Sequence, residues 1–330
     1  GPALEEVISK SLNQFGVEVH LMGVAPTPAI AHAAATNDVV ALAITASHNP
    51  YRDNGVKIFG SGGRKLTDDE EARIEIALAN ELSTPSTRRG AVGKTTNHSE
   101  YLAEYCASLV RAMPHNALEK LHIALDCANG ALSSVAPEMF GSLGAMVTTI
   151  HAAPDGRNIN HECGATNPAV LASTVRHVGA HLGIAFDGDG DRLIAIDDTG
   201  SVVDGDHLLA ISARDMQRQG TLHDNTVVVT VMTNIGFHRA MDAAGIKVLA
   251  TPVGDRSVLT ALEDNGLSLG GEQSGHIIYR DMATTGDGLL AAVRLAAFVA
   301  SGTQSLNEIA RDAMTSFPQV LINVRVAQRP

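Results

Sequence analysis

The sequence predicts an α/β protein with three tandem domains of similar mixed-sheet fold around a cleft. Its 330 residues exceed what one ordinary hydrophobic core needs, and a hydrophobic content of 45% is ample for two or three cores. Helical and strand patterns alternate along the chain in three successive blocks. In each block one strand also runs into a polar loop, which is where open α/β sheets bind ligands.

Net charge limits the partners that this chain can bind. The 24 Lys and Arg residues are outnumbered by 36 Asp and Glu residues, which gives a net charge of −12. Nucleic acids and anionic membranes need a basic face, so we expect neither as a partner. A small anionic substrate stays compatible with this composition, because a few well-placed Arg and Lys side chains can dominate the local field.

The cysteines and the apolar runs favour a cytoplasmic location. The cysteines are Cys106, Cys127 and Cys163, an odd number without a close pair, so a disulfide framework is not expected. No stretch of about 18 apolar residues predicts a membrane span, and no charged-then-apolar leader predicts export.

The first block is predicted as a β-α-β unit with a helix before it and another after it. Apolar residues at helical spacing and the stop at Gly16 indicate the opening helix. A continuous apolar run indicates a strand buried on both faces, and acidic residues in a first turn mark the last helix. In order, we predict a helix at 3–15, a strand at 17–22, a short helix ending at 35, a strand at 39–46 and a helix at 67–82.

The second and third blocks repeat this alternation. For the second we predict helices at 101–111, 137–143 and 169–180, with strands at 122–126, 146–150 and 182–186. For the third we predict helices at 207–217, 235–244, 257–264, 287–300 and 305–313, with strands at 226–230 and 248–251 and a segment at 266–269 that leads into a glycine-rich loop. Tandem domains of similar fold are expected, although no sequence repeat is evident.

A segment without periodicity sets the first domain boundary. Residues 83–97 are rich in Ser, Thr, Pro, Gly and Arg, which is typical of a linker. We predict domains at 1–95, 96–200 and 201–317, with 318–330 as the start of a further domain. That last segment contains the strand-like residues 324–326.

The first polar loop is the serine loop, residues 45–50 (Thr-Ala-Ser-His-Asn-Pro). A hydroxyl at a strand end, here Ser47 followed by His48, is a candidate activated nucleophile or phosphate carrier. The alternative is a turn without chemistry, which these residue types also favour. Lys57 behind the loop is a candidate proton shuttle if its pKa is lowered, and otherwise an ordinary surface lysine.

The second polar loop contains the aspartate triplet, Asp187, Asp189 and Asp191, separated by glycines. Three carboxylates at alternate positions repel one another unless a cation lies among them, and oxygen ligands select Mg²⁺ or Ca²⁺. An EF-hand is rejected, because its sixth position needs Gly and here is Arg192. A solvated acidic turn and a phosphotransferase with Asp187 as nucleophile remain alternatives. Arg192 suits a phosphate oxygen.

The third polar loop is the sugar loop, residues 271–276 (Gly-Glu-Gln-Ser-Gly-His). Glu272 and Ser274 point the same way if the loop is extended, and a carboxylate beside a hydroxyl suits sugar hydroxyls. Alone the motif is weak. Residues 254–256 are typical of a capped turn before a helix, although Arg256 is retained as a candidate substrate ligand.

In this order, one per block, the three loops make the chain similar to the α-D-phosphohexomutase superfamily. That superfamily is marked by a Thr/Ser-Ala-Ser-His-Asn-Pro phosphoserine loop, an Asp-Gly-Asp-Gly/Ala-Asp-Arg metal loop and a Gly-Glu-x-Ser-Gly-His sugar loop. Within it, the chain most resembles the bacterial phosphoglucosamine mutases, through Gln273, residues 154–160 and residues 317–320. The resemblance covers nearly the whole chain.

The resemblance implies a set of site residues. Ser47 is implied as the phosphoserine, and its phosphate and the aspartate triplet as the ligands of one Mg²⁺ per chain. The further roles implied are phosphoryl binding by Arg192, proton transfer or phosphate orientation by His48 and Lys57, and substrate binding by Glu272, Ser274, His276 and Arg256.

The implied reaction converts glucosamine 6-phosphate to glucosamine 1-phosphate, in the route to UDP-N-acetylglucosamine and peptidoglycan. Ser47 donates its phosphate to give a hexosamine bisphosphate, which also serves as activator and turns round before it returns the other phosphate. The expected partner is therefore a small sugar phosphate. Whether the chain is a homodimer is left open.

The resemblance also bears on the two ends of the chain. The family's opening Gly-Thr-Asp-Gly-x-Arg-Gly segment and its fourth, C-terminal domain, with an Arg-x-Ser-Gly-Thr phosphate loop, have no counterpart in this sequence. We therefore expect a fragment in which the fourth domain is essentially absent. Metal binding and slow phosphorylation of Ser47 are expected from it, rather than efficient turnover.

Three alternatives to glucosamine phosphate isomerisation stay open. The first is the same chemistry on mannose or glucose phosphates. The second is a phosphatase-like enzyme that uses Asp187 as nucleophile. The third is a non-catalytic protein that binds a sugar phosphate or a divalent ion.

Overall fold

A computed structural model describes residues 1–83 and 91–320, and it confirms the α/β class with three α/β units in chain order. The predicted linker at 83–97 falls partly outside the described residues. The predicted further domain at 318–330 falls mostly outside them, and the strand-like residues 324–326 wholly so.

Unit one contains two short pairs of strands. Strand β1 pairs in parallel with β4, and β2 pairs antiparallel with β3. Ala31 and Ala34 of α2 pack against Ala43 of β2 and Phe59 of β3. In chain order the elements are α1 (Pro2–Gln14), β1 (Val19–Leu21), α2 (Thr27–Asn37), β2 (Ala41–Thr45), β3 (Gly55–Phe59), α3 (Asp68–Ser83) and β4 (Thr95–Asn97).

The prediction of a strand buried on both faces at 39–46 is wrong in part. The strand exists, but Leu42 is 36% exposed while its neighbour Ala43 is 2% exposed. The reason is that, within the described residues, β2 is paired on one side only and is covered by α2 on one face. The alanines of α2 bring that helix close to the strand.

Unit two contains a five-stranded sheet in the order β6-β5-β7-β8-β9. Strands β6, β5 and β7 are parallel, so their carboxyl ends lie at one edge of the sheet. Both β5 and β7 are buried along their whole length. The elements are α4 (Glu100–Arg111), β5 (His122–Asp126), α5 (Val135–Ser142), β6 (Met146–Ile150), α6 (Ala169–Val178), β7 (Leu182–Phe186), β8 (Leu193–Asp197) and β9 (Val202–Val203).

Unit three contains a four-stranded sheet in the order β11-β10-β12-β13. Strands β12 and β13 form an antiparallel hairpin that carries the sugar loop. The elements are α7 (Gly205–Gln219), β10 (Thr226–Thr230), α8 (Ile235–Ala243), β11 (Lys247–Thr251), α9 (Asp255–Asp264), β12 (Leu269–Gly271), β13 (Ile277–Tyr279), α10 (Gly288–Ser301) and α11 (Leu306–Ala313).

Units two and three share one hydrophobic core. The same cluster of buried side chains includes Leu132 and Phe186 of unit two and Leu209 and Leu289 of unit three. Burial of a Leu or Phe side chain contributes about 1.5–3 kcal/mol, so the two units are held as a single packed body. Their functional loops therefore face each other in a defined geometry.

Among the described residues, no single helix has the length and apolar content needed to cross a membrane. Helices α10 and α11 meet that criterion only when they are taken together, across a bend of 104°.

Candidate active site

The aspartate triplet lies at the carboxyl end of β7, in the turn that leads into β8. All three side chains are buried, and one oxygen from each lies within 4.8 Å of the others. The turn is closed by Gly190, whose φ of 72° favours glycine, and whose N–H donates to the Asp187 carbonyl at 3.1 Å. The backbone thus directs three carboxylates to one point.

One oxygen of each triplet carboxylate is bonded to protein donors. The Arg192 N–H donates to Asp187 Oδ1 at 3.1 Å. Lys57 Nζ donates to Asp189 Oδ2 at 2.7 Å and to Asp191 Oδ2 at 2.8 Å.

The other oxygen of each carboxylate has no hydrogen-bond partner within the described residues. These oxygens are Asp187 Oδ2, Asp189 Oδ1 and Asp191 Oδ1, and all three are buried. A buried charge without a partner is costly, and an all-oxygen set of anionic ligands matches a hard divalent ion. The triplet therefore fits Mg²⁺ by its chemistry as well as by its spacing.

The pKa values of Asp187 and Asp191 shift in opposite directions, because Lys57 contacts Asp191 and not Asp187. Burial, followed by the charges of Asp191 and Asp189, raises the pKa of Asp187 well above its ordinary value. Burial would also raise the pKa of Asp191, but Lys57 and then His276 hold that pKa well below its ordinary value. The negative charge of the triplet is therefore least compensated at Asp187.

The serine loop touches the aspartate loop through its backbone. A Cβ atom added to Gly188 would lie 2.6 Å from the Ser47 carbonyl oxygen, so only glycine permits this approach. Ser47 has a φ of 52°, which is uncommon for a residue with a side chain. Its N–H donates to Thr45 Oγ1 at 2.7 Å, and its Oγ lies 3.3 Å from His48 Nδ1.

Two cations, Lys57 and Arg192, lie beside the triplet. Burial would lower the pKa of Lys57, but the charges of Asp191 and Asp189 raise it, so the ammonium form is favoured in this arrangement. Burial, and then the charge of Arg192, lowers the pKa of His48. The Nε of Arg192 is buried without a hydrogen-bond partner in the described part of the chain, 3.9 Å from Asp191 Oδ1. It is a donor suited to an anion.

The sugar loop is not extended, so the condition under which Glu272 and Ser274 would point the same way is not met: residues 272–276 form a tight turn between β12 and β13. The Gly275 N–H donates to the Glu272 carbonyl at 3.0 Å, and the Glu272 N–H donates to the His276 carbonyl at 3.1 Å. Ser274 is exposed. His276 is 3% exposed, with Nδ1 3.7 Å from Asp191 Oδ1, so it faces the triplet.

An open cleft of ≈ 730 Å³ lies between units one and three, next to Lys57. Its size is that of a pocket for a small molecule. Its lining includes two further cations, Lys65 and Arg256, each of which is paired. Lys65 contacts Asp255, and Arg256 donates to Glu71 Oε1 at 2.6 Å.

A second cluster of potential ligands lies at the same edge of the unit two sheet. One atom each of Asp126, His151 and Cys163 fall within 4.8 Å of one another. Here both carboxylate oxygens are bonded: the Ala128 N–H donates to Oδ1 at 2.9 Å, and the Gly164 N–H donates to Oδ2 at 3.0 Å. His151 Nδ1 also lies 2.9 Å from Oδ2. We call this group the Asp126 cluster.

Sequence reasoning assigned no role to several residues that the structure places at the site. Thr27 Oγ1 donates to Asp189 Oδ2 at 2.6 Å. In the sequence, its position between two prolines indicated only a break between a strand and a helix. Lys65 was given no interpretation, and Asp255 was interpreted only as part of a capped turn. Asn160 contacts the serine loop directly; its only signal was membership of the 154–160 stretch.

Comparison with protein families gives three matches along the chain. All three are models of phosphoglucomutase/phosphomannomutase alpha/beta/alpha domains: domain I matches residues 1–85, domain II residues 100–200 and domain III residues 204–317.

Curated proteins with the name phosphoglucosamine mutase are similar to the whole chain. The one from Rhodococcus jostii (strain RHA1) is 45% identical over 330 residues, which cover 100% of this chain and 74% of that protein. The one from Bacillus cereus (strain AH187) is 45% identical over 331 residues, which cover 100% of this chain and 73% of that protein.

Solved structures share the fold. A phosphoglucomutase/phosphomannomutase family protein from Burkholderia thailandensis gives a TM-score of 0.81 at 24% identity and covers 94% of this chain and 68% of that one. The N-acetylphosphoglucosamine mutase of Aspergillus fumigatus, solved in complex with GlcNAc-6P and magnesium, gives a TM-score of 0.67 at 17% identity and covers 100% of this chain and 86% of that one.

Proposed function

The chain belongs to the phosphoglucomutase/phosphomannomutase family and is a phosphohexomutase-type isomerase, and from that premise we propose that it interconverts glucosamine 6-phosphate and glucosamine 1-phosphate. The choice of sugar is supported by the relatives named phosphoglucosamine mutase, which are 45% identical to it. The reaction lies in the route to UDP-N-acetylglucosamine and peptidoglycan.

One observation carries this proposal. The serine loop meets the aspartate loop, and the aspartate loop leaves three buried carboxylate oxygens without a partner. A phosphate on Ser47 would add oxygen ligands to a cation held by the triplet. The proposed phosphate carrier Ser47 and the proposed cation site at the aspartate triplet thus adjoin each other, as phosphoryl transfer requires.

Asp187, Asp189 and Asp191 would hold one Mg²⁺ together with the phosphate on Ser47. When bound, Mg²⁺ neutralises charge on the transferring phosphoryl group. Arg192 would donate to the same group through its unpaired Nε, and Lys57 would orient the phosphate through its ammonium.

The proposed cycle transfers two phosphoryl groups and consumes none. In the first transfer the sugar 1-hydroxyl loses its proton as it attacks phosphorus, and Ser47 Oγ gains a proton as its bond to phosphorus breaks, which gives a hexosamine bisphosphate. After the bisphosphate turns round, Ser47 Oγ loses that proton as it accepts the 6-phosphoryl group, and the 6-oxygen gains a proton. His48 Nδ1, 3.3 Å from Ser47 Oγ, is within reach of the proton on Oγ.

Substrate binding is proposed for Arg256, which lines the cleft, and for Glu272, Ser274 and His276 of the sugar loop. The exposed Ser274 is open to a sugar hydroxyl, whereas Glu272 Oε1 accepts the Gly254 N–H at 3.0 Å and stabilises the turn. The Aspergillus fumigatus neighbour, in complex with GlcNAc-6P and magnesium, supports this choice of ligand. A cytoplasmic location and the domain bounds 1–95, 96–200 and 201–317 stay predictions.

Intact-mass spectrometry tests the phosphoserine. After incubation with a hexose bisphosphate and Mg²⁺, we expect an adduct of one phosphate that is absent from Ser47→Ala. An adduct that persists in Ser47→Ala would favour the alternative in which Asp187 is the nucleophile. Ligand binding without any adduct would favour the non-catalytic alternative.

A comparison of sugars tests the substrate. The rates of adduct loss from the phosphorylated protein are measured with the 6-phosphates of glucosamine, glucose and mannose. We expect glucosamine 6-phosphate to discharge the adduct fastest. A faster discharge by mannose or glucose 6-phosphate would reassign the substrate and leave the phosphoserine intact.

A further inference from the structure

We propose that Asn160 is a positioning residue that fixes the serine loop against the aspartate loop, an inference that rests on the proposed function of Ser47. Asn160 belongs to unit two, yet its Nδ2 donates to the Ser47 carbonyl at 2.7 Å and to the Asn49 carbonyl at 2.9 Å in unit one. A side-chain amide has two N–H groups, so both are used on the serine loop.

The stretch that presents Asn160 is braced by its own side chains. Asp155 Oδ1 accepts the N–H groups of Arg157 and Asn158 at 2.7 and 2.8 Å. Asn158 returns the contact, since its Oδ1 accepts the Asp155 N–H at 3.0 Å and its Nδ2 donates to the Ala153 carbonyl at 2.9 Å. This turn is therefore a rigid support.

Asn160 itself is fixed to the sheet edge and lies where the two loops meet. Its N–H donates to the Ala128 carbonyl at 2.9 Å, just beyond β5, and its φ is 57°. A Cβ atom on Gly188 would lie 2.8 Å from Asn160 Nδ2 as well as 2.6 Å from the Ser47 carbonyl. Asn160 thus contacts both loops at their closest approach.

We call the two hydrogen bonds from Asn160 Nδ2 to the Ser47 and Asn49 carbonyls the clamp. The clamp has a physical consequence for phosphoryl transfer. The two carbonyls that it binds belong to the Ser47–His48 and Asn49–Pro50 peptides, so the backbone is held on both sides of the His48–Asn49 peptide. The left-handed φ of Ser47 is unfavourable for a residue with a side chain and needs such support. A shift of about 1 Å in a reacting group costs about 100-fold in rate. Loss of the clamp should therefore slow phosphorylation of Ser47 while the Mg²⁺ ligands stay intact.

The test compares Asn160→Asp with Asn116→Asp. Asp has the shape of Asn but no N–H donors, and it faces two carbonyl oxygens with a negative charge. Asn116 is a matched control, because it has a φ of 52° and is exposed away from the site. Asn160→Gln keeps the amide, so partial rescue by this variant separates lost donors from general damage.

Two readouts make the outcome decisive. The first is the rate of Ser47 adduct formation from a hexose bisphosphate, measured by intact mass over a range of Mg²⁺ concentrations. We expect a fall of 10-fold or more in Asn160→Asp, with unchanged Mg²⁺ affinity of the unphosphorylated protein, and a wild-type rate in Asn116→Asp. A wild-type rate in Asn160→Asp would overturn the inference.

The second readout needs no phosphoryl donor. Amide hydrogen exchange should become faster at residues 45–49 in Asn160→Asp and stay unchanged in β10 and β11. If exchange at 45–49 does not change, the clamp is wrong whatever the adduct shows. If exchange changes but the wild type forms no adduct, the clamp stands as a structural contact, and the proposed function of Ser47 fails.

Discussion

Two clusters of potential metal ligands lie at one edge of the unit two sheet, and they differ in how well their oxygens are bonded. The aspartate triplet and the Asp126 cluster both bring their ligand atoms within 4.8 Å. Each carboxylate of the triplet has one buried oxygen without a hydrogen bond in the described residues, whereas protein groups bond both oxygens of Asp126. Unsatisfied buried charge is therefore a stronger indication of a metal site than proximity of ligand types alone.

The charges explain this difference. Asp189 and Asp191 share Lys57 as a close cation, and Arg192 Nε lies 3.9 Å from Asp191, so the three carboxylates together keep an excess of negative charge. Asp126 is a single carboxylate facing two backbone donors and one imidazole. A divalent cation would relieve the first cluster and would have to displace existing bonds in the second.

The largest expected effect comes from removing one triplet carboxylate. Asp187→Asn keeps the oxygen that accepts the Arg192 N–H but removes a charge beside the proposed Mg²⁺. A bound metal contributes several kcal/mol to phosphoryl transfer, so the rate of Ser47 phosphorylation should fall about 1000-fold. Intact-mass kinetics measures this rate. The control is Asp197→Asn, a buried aspartate at the end of β8, which should keep the wild-type rate.

Removing Lys57, the cation that contacts the triplet, should destabilise the metal-free protein. Lys57→Met leaves Asp189 and Asp191 without their shared partner, at a cost of about 3 kcal/mol in the free energy of unfolding. Saturating Mg²⁺ should recover much of this loss, because it supplies the missing positive charge. Denaturant unfolding with and without Mg²⁺ measures both effects. Lys65→Met is the control, because Lys65 contacts Asp255 and not the triplet. If Mg²⁺ fully restored a loss of stability in Lys65→Met, the account would be contradicted.

Asp287 is intermediate between the aspartate triplet and Asp126, because it is a buried carboxylate whose hydrogen-bond donors are neutral. Asp287 accepts the Tyr105 hydroxyl at 2.8 Å and the Leu290 N–H at 2.9 Å, yet burial raises its pKa from 3.8 to about 6. The folded protein then holds more protons than the unfolded chain between about pH 4 and 6, so the free energy of unfolding should fall as the pH rises through that window.

The size of this pH effect is on the order of 3 kcal/mol, since one pKa unit corresponds to about 1.4 kcal/mol. Asp287→Asn should flatten the difference in stability between pH 4 and 7, whereas Asp242→Asn at an exposed position should leave it unchanged. Denaturant unfolding at several pH values measures it. An unchanged pH slope in Asp287→Asn would show that its hydrogen bonds compensate for burial fully.

The smallest effect is expected at Asp126. In Asp126→Asn an amide replaces one of the two acceptor oxygens, so the Ala128 or Gly164 N–H loses its partner at a cost of about 2 kcal/mol. Thermal unfolding measures this loss. The rate of Ser47 phosphorylation and its dependence on Mg²⁺ should not change. A raised Mg²⁺ requirement would show that the two clusters are coupled.

Much of the scaffold could be predicted from the sequence. Strands β5, β7 and β10 have the predicted bounds of 122–126, 182–186 and 226–230, because each is a continuous apolar run ended by polar residues. Strand β4 was missed: it consists of exposed Thr and Asn residues within a segment interpreted as a linker. Its strand form depends on parallel pairing with β1, which no local pattern reports.

The motifs of the site could be predicted from the sequence, but the contacts between residues of different units could not. Glycine spacing in the aspartate loop predicts a cation among the carboxylates. The contact of Lys57 with Asp189, 132 residues away, arises only when units one and two meet. The same holds for Asn160, whose amide reaches the Ser47 carbonyl across 113 residues. Such contacts depend on the relative placement of whole units.

The most direct test of the central claim is calorimetric titration of Mg²⁺ into three proteins: wild type, Asp187→Asn and Asp126→Asn. The account predicts one Mg²⁺ site in the wild type, with equal affinity in Asp126→Asn and at least 10-fold weaker binding in Asp187→Asn. Equal affinity in Asp187→Asn, or binding that is lost only in Asp126→Asn, would contradict it.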